Sequence, residues 1–226
     1  MTPVRRFMVL LATAALLAGP AVAALNKDLI ASLGEGGLQP VKVKGLDQAY
    51  AKPGASLAPY TKVKLEPVEV SFAKGWNPDK PGSRFKISEK ERRDIADGVA
   101  RNVTEAFTKT LQAKSVYQVT DADGPDVLRV KARIVDLIIN APDVMTPGTI
   151  RTYTMESGSM TLVAELRDST SGVVLARVAD HRESRYNQEF RLTNSVVNDA
   201  EVRDVASRWA RILRDALDKA HDIGKK

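Results

Sequence analysis

Residues 160–183 carry the pattern that most constrains the fold. Apolar side chains occupy every second position of its first run: Met160, Leu162, Ala164 and Leu166. A second run of strand-forming residues covers residues 173–183, and five residues ending in Gly172 separate the two runs. A gap of this length that contains glycine is typical of a β-hairpin. The chain is therefore predicted to contain an antiparallel sheet with one apolar face.

Two other segments repeat apolar residues at the period of an α-helix. The first is predicted to start at Ser88, because Ser88 and Glu91 have the spacing of a capping box. Its apolar stripe consists of Ile95, Val99, Val103, Phe107 and Leu111. The second is predicted to start near Asn198, which Glu201 follows three residues later, and it presents one apolar face as far as residue 220.

The remaining strands are predicted at residues 62–72, 116–120 and 126–140. In the first of them the apolar residues have odd numbers before Pro67 and even numbers after it. Proline cannot donate a hydrogen bond to a neighbouring strand, so Pro67 indicates a bulge or an edge. Two one-sided helices and a largely one-sided sheet predict an α+β fold, an α/β two-layer sandwich. Its sheet is expected to be mixed and mainly antiparallel, with both helices on one face.

The first 23 residues are typical of a secretory signal peptide. Arg5 and Arg6 precede an apolar run, and Ala21 and Ala23 supply small residues before a predicted cleavage after Ala23. The alternative, a retained membrane anchor, needs a run of about 20 apolar residues. Residues 24–60 are rich in glycine and proline and are predicted to be an extended segment, followed by a single domain over residues 61–223.

Composition excludes several classes of protein. The sequence has no cysteine, which excludes disulfides, thiol nucleophiles, cysteine-based metal sites and lipidation of a cysteine. Removing residues 1–23 takes away two arginines, so the 34 basic residues become 32 against 28 acidic ones, a net charge of +4. This surplus is too small to predict a nucleic-acid partner.

No arrangement of residues predicts catalysis, a metal site or a cofactor. The two histidines, His181 and His221, have no companion ligands near them in the sequence. Asp180 precedes His181 on a predicted strand, where neighbouring side chains point to opposite faces and cannot form a relay. The turn at residues 121–126 lacks the spacing of a calcium loop. We therefore expect a protein that is not an enzyme.

Two features are candidates for an interaction site. Arg129, Lys131 and Arg133 alternate along one predicted strand and would share a face, where they could contact an anionic partner or simply be solvated. Trp76 and Asn77 lie in a loop after the first strand. A tryptophan in a loop can anchor an interface, or it can fold back and cap the edge of the sheet.

Several segments resemble a bacterial family known as domain of unknown function 3313. They are residues 50–60 (YAKPGASLAPY), 62–70 (KVKLEPVEV), Trp76, residues 124–130 (GPDVLRV) and the turn with Asp168, Ser169 and Gly172. The resemblance covers roughly residues 45–220 and implies no established activity. Members are often predicted envelope lipoproteins, but Pro20 stands where their lipid-bearing cysteine would be, which favours a free periplasmic protein.

These observations predict an exported periplasmic protein that serves as a non-catalytic accessory or interaction module of the cell envelope. Its expected partner is an envelope protein or a lipid component, and no transmembrane segment is expected in the mature chain. The alternative is a carrier of a small ligand or lipid, which would use a cleft between the helices and the sheet. The sequence leaves the oligomeric state open.

Overall fold

A computed structural model describes residues 27–74, 76, 88–113, 116–139, 158–183 and 195–223. The elements in the described part of the chain are, in order, α1 (Lys27–Leu33), β1 (Gln39–Pro40), β2 (Gln48–Ala51), β3 (Lys62–Leu65), β4 (Glu69–Phe72), α2 (Glu89–Gln112), β5 (Gln118–Val119), β6 (Val127–Ile138), β7 (Ser159–Asp168), β8 (Val174–Glu183) and α3 (Ser195–Ala220). Three helices and one mixed, mostly antiparallel sheet confirm the predicted α+β class.

The sheet is built around the predicted hairpin. Its strand order is β1-β2-β8-β7-β6-β3-β5, and β4 also pairs with β6. β6, β7 and β8 are antiparallel neighbours, with Ala132 opposite Ala164 and Leu162 opposite Asp180. The turn between β7 and β8 uses Gly172 at φ +71°, a left-handed conformation that glycine adopts without a steric penalty.

The predicted strand over residues 62–72 consists of two short strands that pair with β6 one after the other. β3 and β4 are both parallel to β6, with Val63 opposite Leu128 and Val70 opposite Ile134. Pro67 lies in the break between them, as expected for a residue that has no N–H to donate. The inward-facing residues have odd numbers in β3 and even numbers in β4. The break between the strands makes this change possible and keeps the apolar side chains of both strands on the core.

The helices α2 and α3 cover the sheet face that we call the inner face. Ser88 caps α2 with the predicted capping box: its side chain accepts from the Glu91 backbone, and the Glu91 side chain accepts from the Ser88 backbone. The two helices are linked by buried Asn102, which donates to Asp199 at 3.0 Å and accepts from Arg203 at 3.1 Å. The core between the layers includes Val103, Phe107, Leu128, Ile134, Trp209 and Leu217.

The N-terminal segment contains regular structure that the sequence analysis did not predict. Within residues 24–60, α1 packs on the opposite face of the sheet, the outer face, through Leu33, and β2 pairs with β8. The glycines and prolines of this segment explain the omission, because they interrupt the sequence before any period becomes visible. The sheet therefore begins before residue 61.

The predicted start of the last helix was wrong. Helix α3 begins at Ser195, three residues before Asn198. The predicted capping pattern of Asn198 and Glu201 therefore lies within the first two turns of the helix. Predicted helix ends of this kind depend on local polar residues alone, and such residues also occur inside helices.

Candidate interaction surface

The candidate basic row lies on the outer face of the sheet. Alternation along β6 sends Leu128, Val130 and Ala132 into the core and the residues between them outward. Helix α1 packs over β7 and β8, and no described helix packs over the neighbouring part of the outer face. We call this neighbouring part the open face and define it by five cations: Lys64, Arg129, Lys131, Arg133 and Arg167.

Three of these cations, on β3, β6 and β7, occupy directly opposite positions in neighbouring strands. Lys64 is opposite Arg129, and Arg129 is opposite Arg167. Like charges in directly opposite positions are unfavourable, and nearby acids compensate for them. Asp123 contacts Lys64 at 3.0 Å and Arg129 at 2.9 Å, and Glu66 lies 3.6 Å from Arg129. Hydrogen bonds from Arg129 and Lys64 hold the pKa of the Asp123 carboxyl below its ordinary value.

Arg167 shares its acid with a second arginine. Both Arg167 and Arg177 contact the Glu165 carboxylate, the latter at 2.7 Å. Burial acts to raise the pKa of Glu165, but the hydrogen bonds and charges of the two guanidinium groups outweigh it and leave that pKa lowered. Arg177 also donates to the carbonyl oxygens of Ser32 at 3.3 Å and Glu35 at 2.8 Å. It thereby caps the C-terminal end of α1, a favourable place for a cation.

The far end of the basic row is less neutralised. Lys131 contacts Glu69 at 3.1 Å, and their side chains are 40% and 60% exposed. An ion pair this exposed contributes little to stability. Arg133 is exposed and has no hydrogen bond or ion pair within the described part of the chain. Within the basic row along β6, Arg129 is therefore paired with two acids, whereas Arg133 forms no ion pair in the described part of the chain.

Trp76 lies on the other side of the sheet from this row. Its ring stacks on Phe72 with centroids 4.4 Å apart, and its indole N–H donates to the Ile139 carbonyl at 3.3 Å. The Arg92 guanidinium of α2 lies 5.1 Å from the centre of the same ring. These contacts agree with the alternative in which Trp76 folds back over the sheet. A role in partner binding stays a prediction, and Asn77 lies outside the described residues.

A buried carboxylate, which the sequence analysis treated only as a neighbour of His181, connects three parts of the fold. Asp180 on β8 is fully buried. It accepts from the Trp209 indole of α3 at 2.6 Å, from Arg182 at 2.6 and 3.0 Å, and from the Asp47 backbone at 3.1 Å. Burial raises the pKa of the Asp180 carboxyl above its ordinary value despite these donors. The Asp-x-Arg spacing, which places both side chains on one face, was the available signal.

The two histidines lie apart and contact different groups. His181 Nδ1 is 2.9 Å from the Thr161 hydroxyl oxygen, and His181 Nε2 is 3.4 Å from Glu183. His221 Nε2 is 2.9 Å from the Tyr60 carbonyl oxygen. Among the residues that the structure describes, no three His, Asp or Glu side chains are grouped as metal ligands would be.

Two depressions lie away from the open face. An apolar cleft of about 50 Å³ lies between the ends of β6 to β8 and α3, lined in part by Leu137, Ile139, Met160, Val202 and Val205. A wider depression of about 570 Å³ is open to solvent beside β5, and its lining is Thr61, Lys62, Gln112, Val116, Tyr117 and Gln118. The lining of the apolar cleft also includes the ionisable residues Arg182, Glu183 and Glu201.

The family model of a protein of unknown function (DUF3313) matches residues 32–213. The chain belongs to this family, which confirms the predicted resemblance. No match was found among curated proteins. None of the helices in the described residues is both long and apolar enough to cross a membrane.

Distant similarities to solved structures were also found. The PelC dodecamer from Paraburkholderia phytofirmans shares 14% identity, with 75% of this chain and 96% of that chain covered and a TM-score of 0.37. A predicted lipoprotein from Caulobacter crescentus shares 12% identity, with coverages of 75% and 94% and a TM-score of 0.33. TM-scores this low give no information about function.

Proposed function

We propose that this protein is an exported, non-catalytic interaction module of the cell envelope, and that its open face contacts an anionic component there. The observation that carries the proposal is the state of Arg133. Its guanidinium is exposed, lacks an acidic partner in the described part of the chain and stands next to Lys131, whose ion pair is itself exposed. A cation in this state is available to an external anion at no cost in broken internal contacts.

The rigidity of the open face also supports the proposal. Its cations are carried on strands of the central sheet, and Lys64, Arg129 and Arg167 occupy directly opposite positions. Groups on strands are held more precisely than groups on loops, so less conformational entropy is lost on binding. Export is supported by the leader-like sequence of residues 1–23.

Export is tested by fractionating cells that produce the full chain with a C-terminal tag. We expect the protein in the periplasmic fraction, with an intact mass that begins at residue 24. Replacing Arg5 and Arg6 by glutamate should retain the precursor in the cytoplasm, because the leader needs a positive start. Recovery of the unprocessed wild-type chain from the cytoplasm would contradict the proposal.

The contact surface is tested by placing a photocrosslinking amino acid at position 71 or, as a matched control, at position 105. Ser71 is exposed on β4, two residues after Glu69, so this change keeps all five cations of the open face. Glu105 is exposed on α2, in the helical layer on the other side of the sheet. We expect a specific crosslinked product in living cells from position 71 and none from position 105. Equal products from both positions, or products from position 105 alone, would show that the open face is not the contact surface.

The carrier alternative has less support. The apolar cleft beside α3 encloses about 50 Å³, whereas pockets for small ligands measure roughly 300–1,000 Å³. The depression beside β5 is large enough at about 570 Å³, but it is open to solvent and would not enclose a ligand. Native mass spectrometry of the exported protein distinguishes the two functions. A stoichiometric small molecule bound to the chain would favour the carrier, and a bare chain mass would favour the interaction module.

A further inference from the structure

We infer that the anionic component is the phosphate-bearing headgroup layer of a lipid membrane, which the open face contacts reversibly. This inference rests on the proposed function and names its partner class. It follows from the distribution of charge on the open face and its rim, and from the absence of an apolar anchor on the open face.

The cations of the open face and its rim outnumber the acids that pair with them. The seven cations are Lys62, Lys64, Arg129, Lys131, Arg133, Arg167 and Arg177. The acids that pair with them are Asp123, Asp126, Glu66, Glu69 and Glu165. Within this group of side chains, seven positive charges face five negative ones, a surplus of two.

The surplus has a definite position on β6 and β7. One positive charge is that of Arg133, which forms no ion pair within the described residues. Glu69 is opposite Arg133, but its carboxylate contacts Lys131. The other arises where Arg167 and Arg177 share the single carboxylate of Glu165. Lys131 adds to it, because its exposed pair with Glu69 can exchange for an external anion with little loss.

A charged layer fits this surface better than a folded protein does. Stable protein interfaces depend on a few buried aromatic or large apolar anchors. In the described part of the chain the exposed large apolar residues are Val41, Val173 and Ile223, and none lies among the five cations of the open face. A flat set of cations at strand spacing can instead meet many headgroups at once without a shaped pocket.

Vesicle flotation of the exported protein tests the inference. The vesicles contain phosphatidylglycerol and phosphatidylcholine in equal amounts, or phosphatidylcholine alone, in buffer of low ionic strength. We expect flotation with the anionic vesicles alone, and loss of flotation in high salt, which screens exposed charges. Flotation with neither vesicle, or equally with both, would overturn the inference.

A pair of charge-matched variants locates the contact. Each cation near an anionic surface contributes about a fivefold increase in partitioning. The double variant Lys131→Glu with Arg133→Glu should therefore weaken partitioning by at least about 25-fold. The control variant Lys109→Glu with Arg211→Glu has the same net charge but changes exposed residues of α2 and α3, and it should float nearly as well as the wild type. Equal losses would mean that net charge alone drives binding and would overturn the inference.

A milder variant guards against misfolding. Arg133→Gln removes the unpaired charge without placing an acid beside Glu69, and it should reduce partitioning about fivefold while its thermal midpoint stays that of the wild type. The two proposals also fail differently. If anionic vesicles do not bind but position 71 crosslinks to an envelope protein, the headgroup assignment is wrong and the interaction module stands. If both experiments fail, the open face is not the interaction surface.

Discussion

Replacing Asp180 by alanine should strongly destabilise the protein. The carboxylate is fully buried on β8, and it accepts from Trp209 of α3, from Arg182 and from the Asp47 backbone. It therefore joins the sheet, the helical layer and the segment before β2. The Asp180→Ala substitution removes all of these acceptors and leaves their donors in place.

The expected cost follows from how exposed each donor is. The Trp209 side chain is about 2% exposed, and a buried donor without an acceptor costs about 1–3 kcal/mol. The Arg182 side chain is 35% exposed, so water can recover part of its hydrogen bonding. Adding the lost ion pair gives an expected loss of about 3–5 kcal/mol in the free energy of unfolding, the usual range for breaking a buried pair. For a domain of this size the thermal midpoint should fall by roughly 10 °C.

Urea unfolding followed by tryptophan fluorescence measures this change. The sequence has two tryptophans, and one of them, Trp209, loses its hydrogen-bond partner. Asp123→Ala is the matched control, because Asp123 also pairs with two cations at about 3 Å but is 46% exposed. We expect its unfolding midpoint to stay within the error of that of the wild type. A loss below about 1 kcal/mol for Asp180→Ala would refute the reasoning, since it would mean that the donors find other partners.

Three further predictions concern other contacts. Burial, together with the hydrogen bond to Asp168, raises the pKa of Tyr60 from 10.0 to about 12. The protonated tyrosine therefore stabilises the fold fully below pH 10 and loses that contribution as the pH rises to about 12. Tyr60→Phe should flatten this alkaline fall in the free energy of unfolding. Ser88→Ala removes the cap of α2 and should lower the unfolding free energy by about 1 kcal/mol in urea. Arg177→Ala removes the cap of α1, and limited proteolysis should then cut the α1 segment faster while the rest of the chain resists as before.

The sequence predicted the parts of the fold whose patterns are long. The four alternating apolar residues of β7 and the five-residue stripe of α2 are repeated signals, and both elements were confirmed. The change from odd to even apolar positions at Pro67 was also informative, because proline has no N–H to donate to a neighbouring strand. The short strands β1 and β2 lie in a segment whose glycines and prolines interrupt any period. The pairing of β1 with β2, and of β2 with β8, depends on tertiary contacts.

The candidate site was predicted less completely for a physical reason. Alternation along one strand placed Arg129, Lys131 and Arg133 on one face, which the structure confirms. The charges that neutralise Arg129 come from the turn at Asp123 and from Glu66 at the strand break, and no pattern along the chain predicts such pairing across strands. The same holds for Asp180 and Trp209, which are 29 residues apart and meet only when α3 packs on the sheet.

The most direct test of the central claim compares the accessibility of two positions in the intact envelope. The chain has no cysteine, so Ser71→Cys and Glu105→Cys each introduce a single thiol. Ser71 is exposed on β4, two residues after Glu69, and its replacement keeps all five cations of the open face, whereas Glu105 is exposed on α2. A bulky maleimide should label both variants equally when they are purified. In cells with a permeabilised outer membrane, we expect the thiol at position 71 to be labelled much more slowly than the thiol at position 105. Equal labelling rates in cells would contradict the account, because the open face would then be free of any partner.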